Sequence, residues 1–242
     1  MPPIHGCKFL FILAMTQQWI ELEGNPVLQE RQLVFGYLDV KRAHFVAPSR
    51  REVYLELPSE LQAIHGWNKV ARLLKSFYGM RDAGANWEFT ICEVLVTELE
   101  FVQGASSPCH YWHPVREIRV TVHGDDFTSL GTYQNVLWLH QELHARWMVE
   151  VRGILGPPRM PGTVQEIRHL NRLICWDDQG LTWEPDPRHV DLLCQGVVVT
   201  GAAVSTPLVK EKIESLDVED ELLQDEAATA YRSHTMRAGY LA

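Results

Sequence analysis

The chain has 242 residues, 46% hydrophobic and 22% charged, which is globular composition with length enough for one or two domains and a real core. Its formal charge of −9 is uneven: between Lys210 and Glu226 two lysines face eight carboxylates, so the rest of the chain is only slightly acidic, and the charge neither advertises a nucleic-acid binder nor excludes a local basic groove. Five scattered cysteines with no CxxC pair argue against a disulfide scaffold or a zinc cluster and for a reducing intracellular setting, cytoplasmic or nuclear and not secreted.

In chain order, the first apolar run, FLFILAM at 9–15, is too short to span a bilayer and reads as a buried helix near the N-terminus, so no membrane partner is expected. Residues 33–40 (LVFGYLDV) read as a buried strand with Asp39 at its end. Residues 53–57 are β-rich and stop at Pro58; with 69–74 they make a small projecting sheet. A helix is predicted over 86–100, with Trp87, Ile91, Val94, Leu95 and Val102 on one face and Asn86 as its cap.

Over 117–130, Ile118, Val120 and Val122 alternate with Arg119 and Thr121, Gly124-Asp125 breaks the pattern, and the alternation resumes. That is a hairpin with Asp125 and Asp126 at its tip. Residues 135–147 form a second amphipathic helix through Val136, Leu139, Leu143 and Trp147. A second hairpin joins 169–176 to 181–184, a short helix covers 188–195, and one terminal helix lies around 219–232 in the acidic stretch. Strands and helices in this order predict an α+β layer, helices packed on one face of an antiparallel sheet.

The densest chemistry is Asp39 with Asp125 and Asp126. Adjacent carboxylates repel and favour a proton unless a cation joins them, and a hard divalent ion such as Mg²⁺ or Mn²⁺ is the fitting one. Two such ions about 3.5–4 Å apart clamp an in-line phosphoryl displacement. Asp-Asp beside Gly is equally an ordinary turn signal, as Asp177-Asp178 illustrates.

Six motifs in order carry a resemblance. They are YLDVKRAHFVA (37–47), VYLELP (53–58), RLLKSFYGMRDAGANW (72–87), VHGDDF (122–127), VSTPL (204–208) and YRSHTMRAGYLA (231–242). The ordered set resembles the reverse transcriptase of copia-type long-terminal-repeat retrotransposons, from about residue 33 to the end. The resemblance implies a polymerase palm with partial fingers and the start of a thumb or connector, acting as an RNA-directed DNA polymerase on deoxynucleoside triphosphates and an RNA or DNA template-primer. It implies Asp39, Asp125 and Asp126 as catalytic metal ligands. His44 falls at the position that packs on the incoming sugar, and Tyr78, Gly79 and Arg81 fall near the nucleotide. Arg72, Lys75 and His123 fall along the nucleic acid. Trp176 and Trp183 fall on a primer-gripping hairpin, where each either stacks on a primer end or fills core.

This sequence departs from the family at His123 for a tyrosine, Gly124 for a valine, and Asp82-Ala83-Gly84 for Gln-Ala-Pro. About 35 residues precede the first catalytic strand, too few for the family's fingers segment. The expectation is therefore a piece of a longer Pol polyprotein, working with its other parts, or a catalytically inactive palm-fold remnant. The expected domains are a palm over 1–184 with a fingers-like insertion at about 46–80, a thumb-like start over 185–208, and an acidic linker over 209–242.

Overall fold

A computed structural model describes residues 4–21, 32–196 and 223–241. Its elements run α1 (Ile4–Glu21), β1 (Leu33–Val40), α2 (Ala43–Val46), β2 (Tyr54–Glu56), α3 (Ser59–His65), β3 (Val70–Arg72), α4 (Ala83–Cys92), β4 (Val102–Gln103), β5 (His110–His113), β6 (Ile118–His123) and β7 (Asp126–Thr132). They continue with α5 (Tyr133–Arg146), β8 (Val149–Leu155), β9 (Glu166–His169), β10 (Arg172–Asp177), β11 (Gly180–Pro185), α6 (Pro187–Gly196) and α7 (Asp225–Leu241). The chain divides into two compact units, Met1–Ile167 with Cys175–Thr182, and Arg168–Ile174 with Trp183–Ala242.

The first unit is built on a six-stranded sheet in the order β4-β5-β6-β7-β1-β8, antiparallel at every pairing. β1 lies between β7 and β8 and is covered on both sides, so its sequence is a nearly unbroken apolar run and not an alternation. Leu38 and Val40 face the main core, where Trp87 and Ile91 of α4 and Leu139 and Leu143 of α5 pack against Ile118, Val120 and Phe127 of the hairpin. The α+β expectation holds, and α4 and α5 share that face. On the opposite face α1 covers β1: Phe35 meets Phe11 at a ring separation of 5.0 Å, and Trp176 at 6.1 Å. Tyr37 and Asp39 follow Phe35 on this second face by strand alternation.

Several local expectations change. Asn86 does not cap the helix; it is buried within α4 and donates from Nδ2 to Ser76 Oγ at 3.0 Å. Asp82 holds the cap position but makes no cap bond, because Arg51 takes its carboxylate through Nε at 2.8 Å and Nη2 at 3.1 Å. The negative charge that Asp82 brings to the family-like segment is thereby paired. After Cys92 the helix widens into a π-helical turn, Glu93–Glu98, in which the Leu99 N–H reaches back to the Val94 carbonyl. That wider turn buries Val94, Leu95 and Leu99 together, while Val102 leaves the helix face for exposed β4.

The projecting sheet forms as read, with Tyr54, Leu55 and Glu56 opposite Arg72, Ala71 and Val70, and α3 inserted between the strands. The second hairpin also forms, its turn closed by Asp177 Oδ1 accepting from the N–H groups of Gln179 and Gly180. That aspartate pair is a turn device, as its sequence context allows.

In the second unit Tyr240 of α7 lies under the Arg172 guanidinium at 4.4 Å and beside His189 at 4.6 Å. Asp186 is buried between Arg188 and Arg168, and the hydrogen bonds from Arg188 hold its carboxyl down at about 2. α7 occupies part of the expected acidic linker and starts later than the predicted terminal helix; 209–222 and the 204–208 motif lie outside the described residues. Among the described residues no helix is long and apolar enough to cross a membrane.

Candidate active site

The β6-β7 hairpin turns through Gly124-Asp125, with Gly124 at φ 65°, a left-handed value that glycine adopts without Cβ strain. Valine, the family's residue there, would pay that strain, so the departure at this position suits the turn. Two bonds fix the tip. The Trp87 indole N–H donates to the Gly124 carbonyl at 2.7 Å, and the Val40 N–H donates to the Asp125 carbonyl at 2.9 Å. The Gly124-Asp125 turn is thus tied to α4 on one side and to the end of β1 on the other.

Strand register does the rest. Asp39 of β1 pairs directly with Asp126 of β7, so the two carboxylates stand side by side on one sheet face. Their side chains are 20% and 13% exposed. Burial pushes the Asp126 carboxyl up to about 6; Arg152 opposes the rise, and the charges of Asp125 and Asp39 add to it. Asp39 is raised by burial and by Asp125, again with Arg152 opposing. Asp125 itself is exposed at the turn.

Arg152, which sequence reasoning missed, reaches into this pair from β8. Its Nη2 donates to Asp39 Oδ1 at 3.3 Å, and its Nη1 lies 3.1 Å from Asp126 Oδ1. The second contact is an ion pair without hydrogen-bond alignment, so Asp126 Oδ1 is a buried carboxylate oxygen that accepts no hydrogen bond. The readable signal is Arg-Gly inside a strand, a common mark of a bulge. Glu150, opposite Asp39 on β8, is engaged by Lys41 at 2.8 Å.

A buried, unsatisfied oxygen beside a second carboxylate fits a divalent cation. The fit is that of a pair: among the described residues no three His, Cys, Asp or Glu side chains converge closely enough to hold a metal. The structure therefore brings Asp39 and Asp126 together and leaves Asp125 contributing charge from the turn.

The remaining candidates divide. His44 of α2 and Tyr78 meet at 5.0 Å, and Phe45 stands edge-on to both Phe77 and Tyr78, at 5.1 and 5.0 Å. These rings form one aromatic cluster, and Phe45, Phe77 and Tyr78 present exposed surface. Gly79 turns at φ 89°, and Arg81 is exposed. His123 pairs across the hairpin with Asp126. Arg72 is engaged with Glu52 at 3.4 Å, and Lys75 Nζ donates to the Val46 carbonyl at 2.7 Å, closing the end of α2. Of its two readings Trp176 takes the core one: it is 2% exposed and packs on Phe35. Trp183, in the second unit, is half-buried with the Arg172 guanidinium 5.9 Å from its ring.

Comparison with known proteins bears on the whole arrangement. The family described as "Reverse transcriptase (RNA-dependent DNA polymerase)" matches residues 26–147, which hold β1, the β6-β7 hairpin, α4 and α5. The truncated transposon Ty1-A Gag-Pol polyprotein of Saccharomyces cerevisiae is 39% identical over 95 residues, covering 38% of this chain and 7% of that polyprotein. The transposon Ty1-DR4 Gag-Pol polyprotein of the same yeast is 39% identical over the same length, covering 5% of itself. The chain thus spans well under a tenth of the length of these relatives. A solved structure of apo telomerase from Candida Tropicalis, truncated from the C-terminal domain, overlays 76% of this chain and 40% of its own, with TM-score 0.43 and 8% identity. With the family match extending over half of the sequence and the Ty1 polyproteins 39% identical over 95 residues, the chain belongs to the reverse transcriptase family, as a domain of the copia-type retrotransposon kind.

Proposed function

We propose that the chain is the catalytic portion of an RNA-directed DNA polymerase that extends a primer 3′-hydroxyl with deoxynucleotides on an RNA or DNA template. The observation that carries the reading is the Asp39–Asp126 register pair, with a buried oxygen free of hydrogen bonds, inside a family-matched segment. Asp39 and Asp126 hold the metal, and Asp125 adds negative charge at the hairpin tip. Mg²⁺ or Mn²⁺ bound there supplies charge neutralisation of the transferring phosphoryl group and a lowered pKa for the attacking hydroxyl. The cluster of His44, Phe45, Phe77 and Tyr78 offers ring surface to the sugar and base of a nucleotide, and Gly79 allows close backbone approach. On this reading Arg81 contacts phosphate and His123 lies along the primer. Arg72 and Lys75, both already engaged within the chain, contribute positive charge at the edge of the nucleic-acid path. The other parts of a Pol polyprotein are the partners this reading expects.

The inactive-remnant reading has one observation in its favour, the guanidinium already seated between the two carboxylates. Melting scans separate the two. At a metal concentration near 100 times Kd, binding adds about 2.7 kcal/mol to the folded state, roughly 5–10 °C for a chain of this size. Wild type is expected to gain that shift in Mg²⁺ or Mn²⁺ and Asp126→Asn to lose it. Equal melting of wild type with and without metal would count against the polymerase reading.

A further inference from the structure

We propose that Arg152 is the resident counter-ion of the Asp39–Asp126 pair, holding both carboxylates in place in the metal-free protein, and that a divalent cation binds there by displacing it. The proposal rests on the reading of that pair as metal ligands.

Its basis is a defect in the β1-β8 pairing. Going along β1, Leu38 pairs with Val151 and Tyr37 with Gly153, so Arg152 is the extra residue of a β-bulge. A bulge re-aims the side chain it carries and locally twists the strand, and bulges gather beside active sites for that reason. Gly153, next in sequence, takes φ 150°, and a Cβ on it would come to 3.4 Å from Ile167 Cδ1 and Val164 Cγ2. The Arg-Gly sequence therefore both permits the bulge and directs the guanidinium to the carboxylate face.

There the two guanidinium nitrogens stand 3.3 Å from Asp39 Oδ1 and 3.1 Å from Asp126 Oδ1. The cation charge is shared across the two carboxylates that would hold a metal. A dication and a guanidinium within about 4 Å of each other repel far above thermal energy, so the two cannot occupy that space together. The misaligned contact to Asp126 leaves its oxygen unsatisfied, so displacement of Arg152 gives up one aligned hydrogen bond and not a bidentate pair. Lys41 and Glu150, next to the site, form a separate pair and leave the positive charge between the aspartates to Arg152 alone among the ion pairs made there.

The test is a Mn²⁺ titration read by the electron paramagnetic resonance signal of free ion, on wild type, Arg152→Gln, Arg152→Met, Arg152→Lys and Asp126→Asn. Removing the competing charge is expected to tighten Mn²⁺ binding by about tenfold or more in both Arg152→Gln and Arg152→Met, a difference of about 1.4 kcal/mol. Arg152→Lys keeps the charge and is expected to stay near wild type. Asp126→Asn is expected to bind weakly or not at all. A merely structural arginine would leave affinity unchanged or lower it when removed, so unchanged or weaker binding in the Gln and Met variants, with Asp126→Asn still defective, overturns the proposal while the metal site stands. Binding by Asp126→Asn equal to wild type would overturn the metal reading itself, and the proposal with it.

Discussion

Trp87→Ala is expected to lower the unfolding free energy by about 4 kcal/mol, the largest stability effect of any single substitution considered for this chain. Trp87 is 1% exposed and among the largest fully buried side chains. Its ring meets Trp147 at 4.8 Å in an edge-on contact, at the junction of α4, the end of α5 and the hairpin core. Alanine would leave a cavity that two helices and a sheet cannot close without moving. The indole N–H also anchors the Gly124 carbonyl, so the same substitution frees the turn that carries Asp125 and Asp126. Trp87→Phe separates the two losses. It keeps most of the apolar volume and removes the hydrogen bond, and about 1–2 kcal/mol is expected. Urea unfolding of the two variants measures both numbers, and equal destabilisation by Ala and Phe would contradict the packing argument.

The second large effect is acid sensitivity through His140. This residue of α5 is buried at 5% exposure over the Gly36 backbone of β1, and its Nε2 has no hydrogen-bond partner. Burial alone depresses its pKa from 6.5 to about 4. In the unfolded chain the imidazole takes up a proton below pH 6.5, while the folded chain keeps it neutral until about pH 4. Stability is therefore unaffected above pH 6.5 and is lost as pH falls through that window, by about 3 kcal/mol in all. His140→Leu removes the proton uptake from both states. The difference in unfolding free energy between wild type and His140→Leu is expected to shift by about 3 kcal/mol from pH 7.5 to pH 4, against wild type. A difference that stays constant with pH would contradict it.

Much of the site was legible because its signals are local. Alternation at Ile118, Val120 and Val122 followed by Gly124-Asp125 fixes a hairpin and puts two aspartates at its tip, and the structure has that hairpin. The run 33–40 fixes a strand ending in Asp39. That β1 lies beside β7, with Asp39 opposite Asp126, is a long-range register that periodicity does not encode; the family resemblance grouped Asp39 with Asp125 and Asp126 and did not say which of the two it faces.

The misreadings share a cause, which is that a side chain's partner is set by tertiary contact. Asn86 looks like a cap until Ser76 claims it, and Asp82, at the true cap position, is claimed by Arg51. Val102 continues a helical period that a π-helical turn interrupts. Which of its two readings Trp176 takes is likewise set by tertiary contact, with Phe35 beside it and α1 over that face of the sheet. Arg152 lies 113 residues from Asp39, and only a bulge directs it there. The Arg-Gly pair marks the bulge locally, but nothing local says which carboxylates the arginine meets.

The central claim is that the paired aspartates form a polymerizing centre, and primer extension tests it most directly. Purified chain would be given a DNA primer annealed to an RNA template, deoxynucleoside triphosphates, and Mg²⁺ or Mn²⁺, beside Asp39→Asn and Asp126→Asn. Template-directed extension by wild type is predicted, falling by at least about 100-fold in either variant, since on the proposed reading each removes a carboxylate that would hold the metal. No extension by wild type at saturating metal, or extension undiminished by Asp126→Asn, would contradict the account.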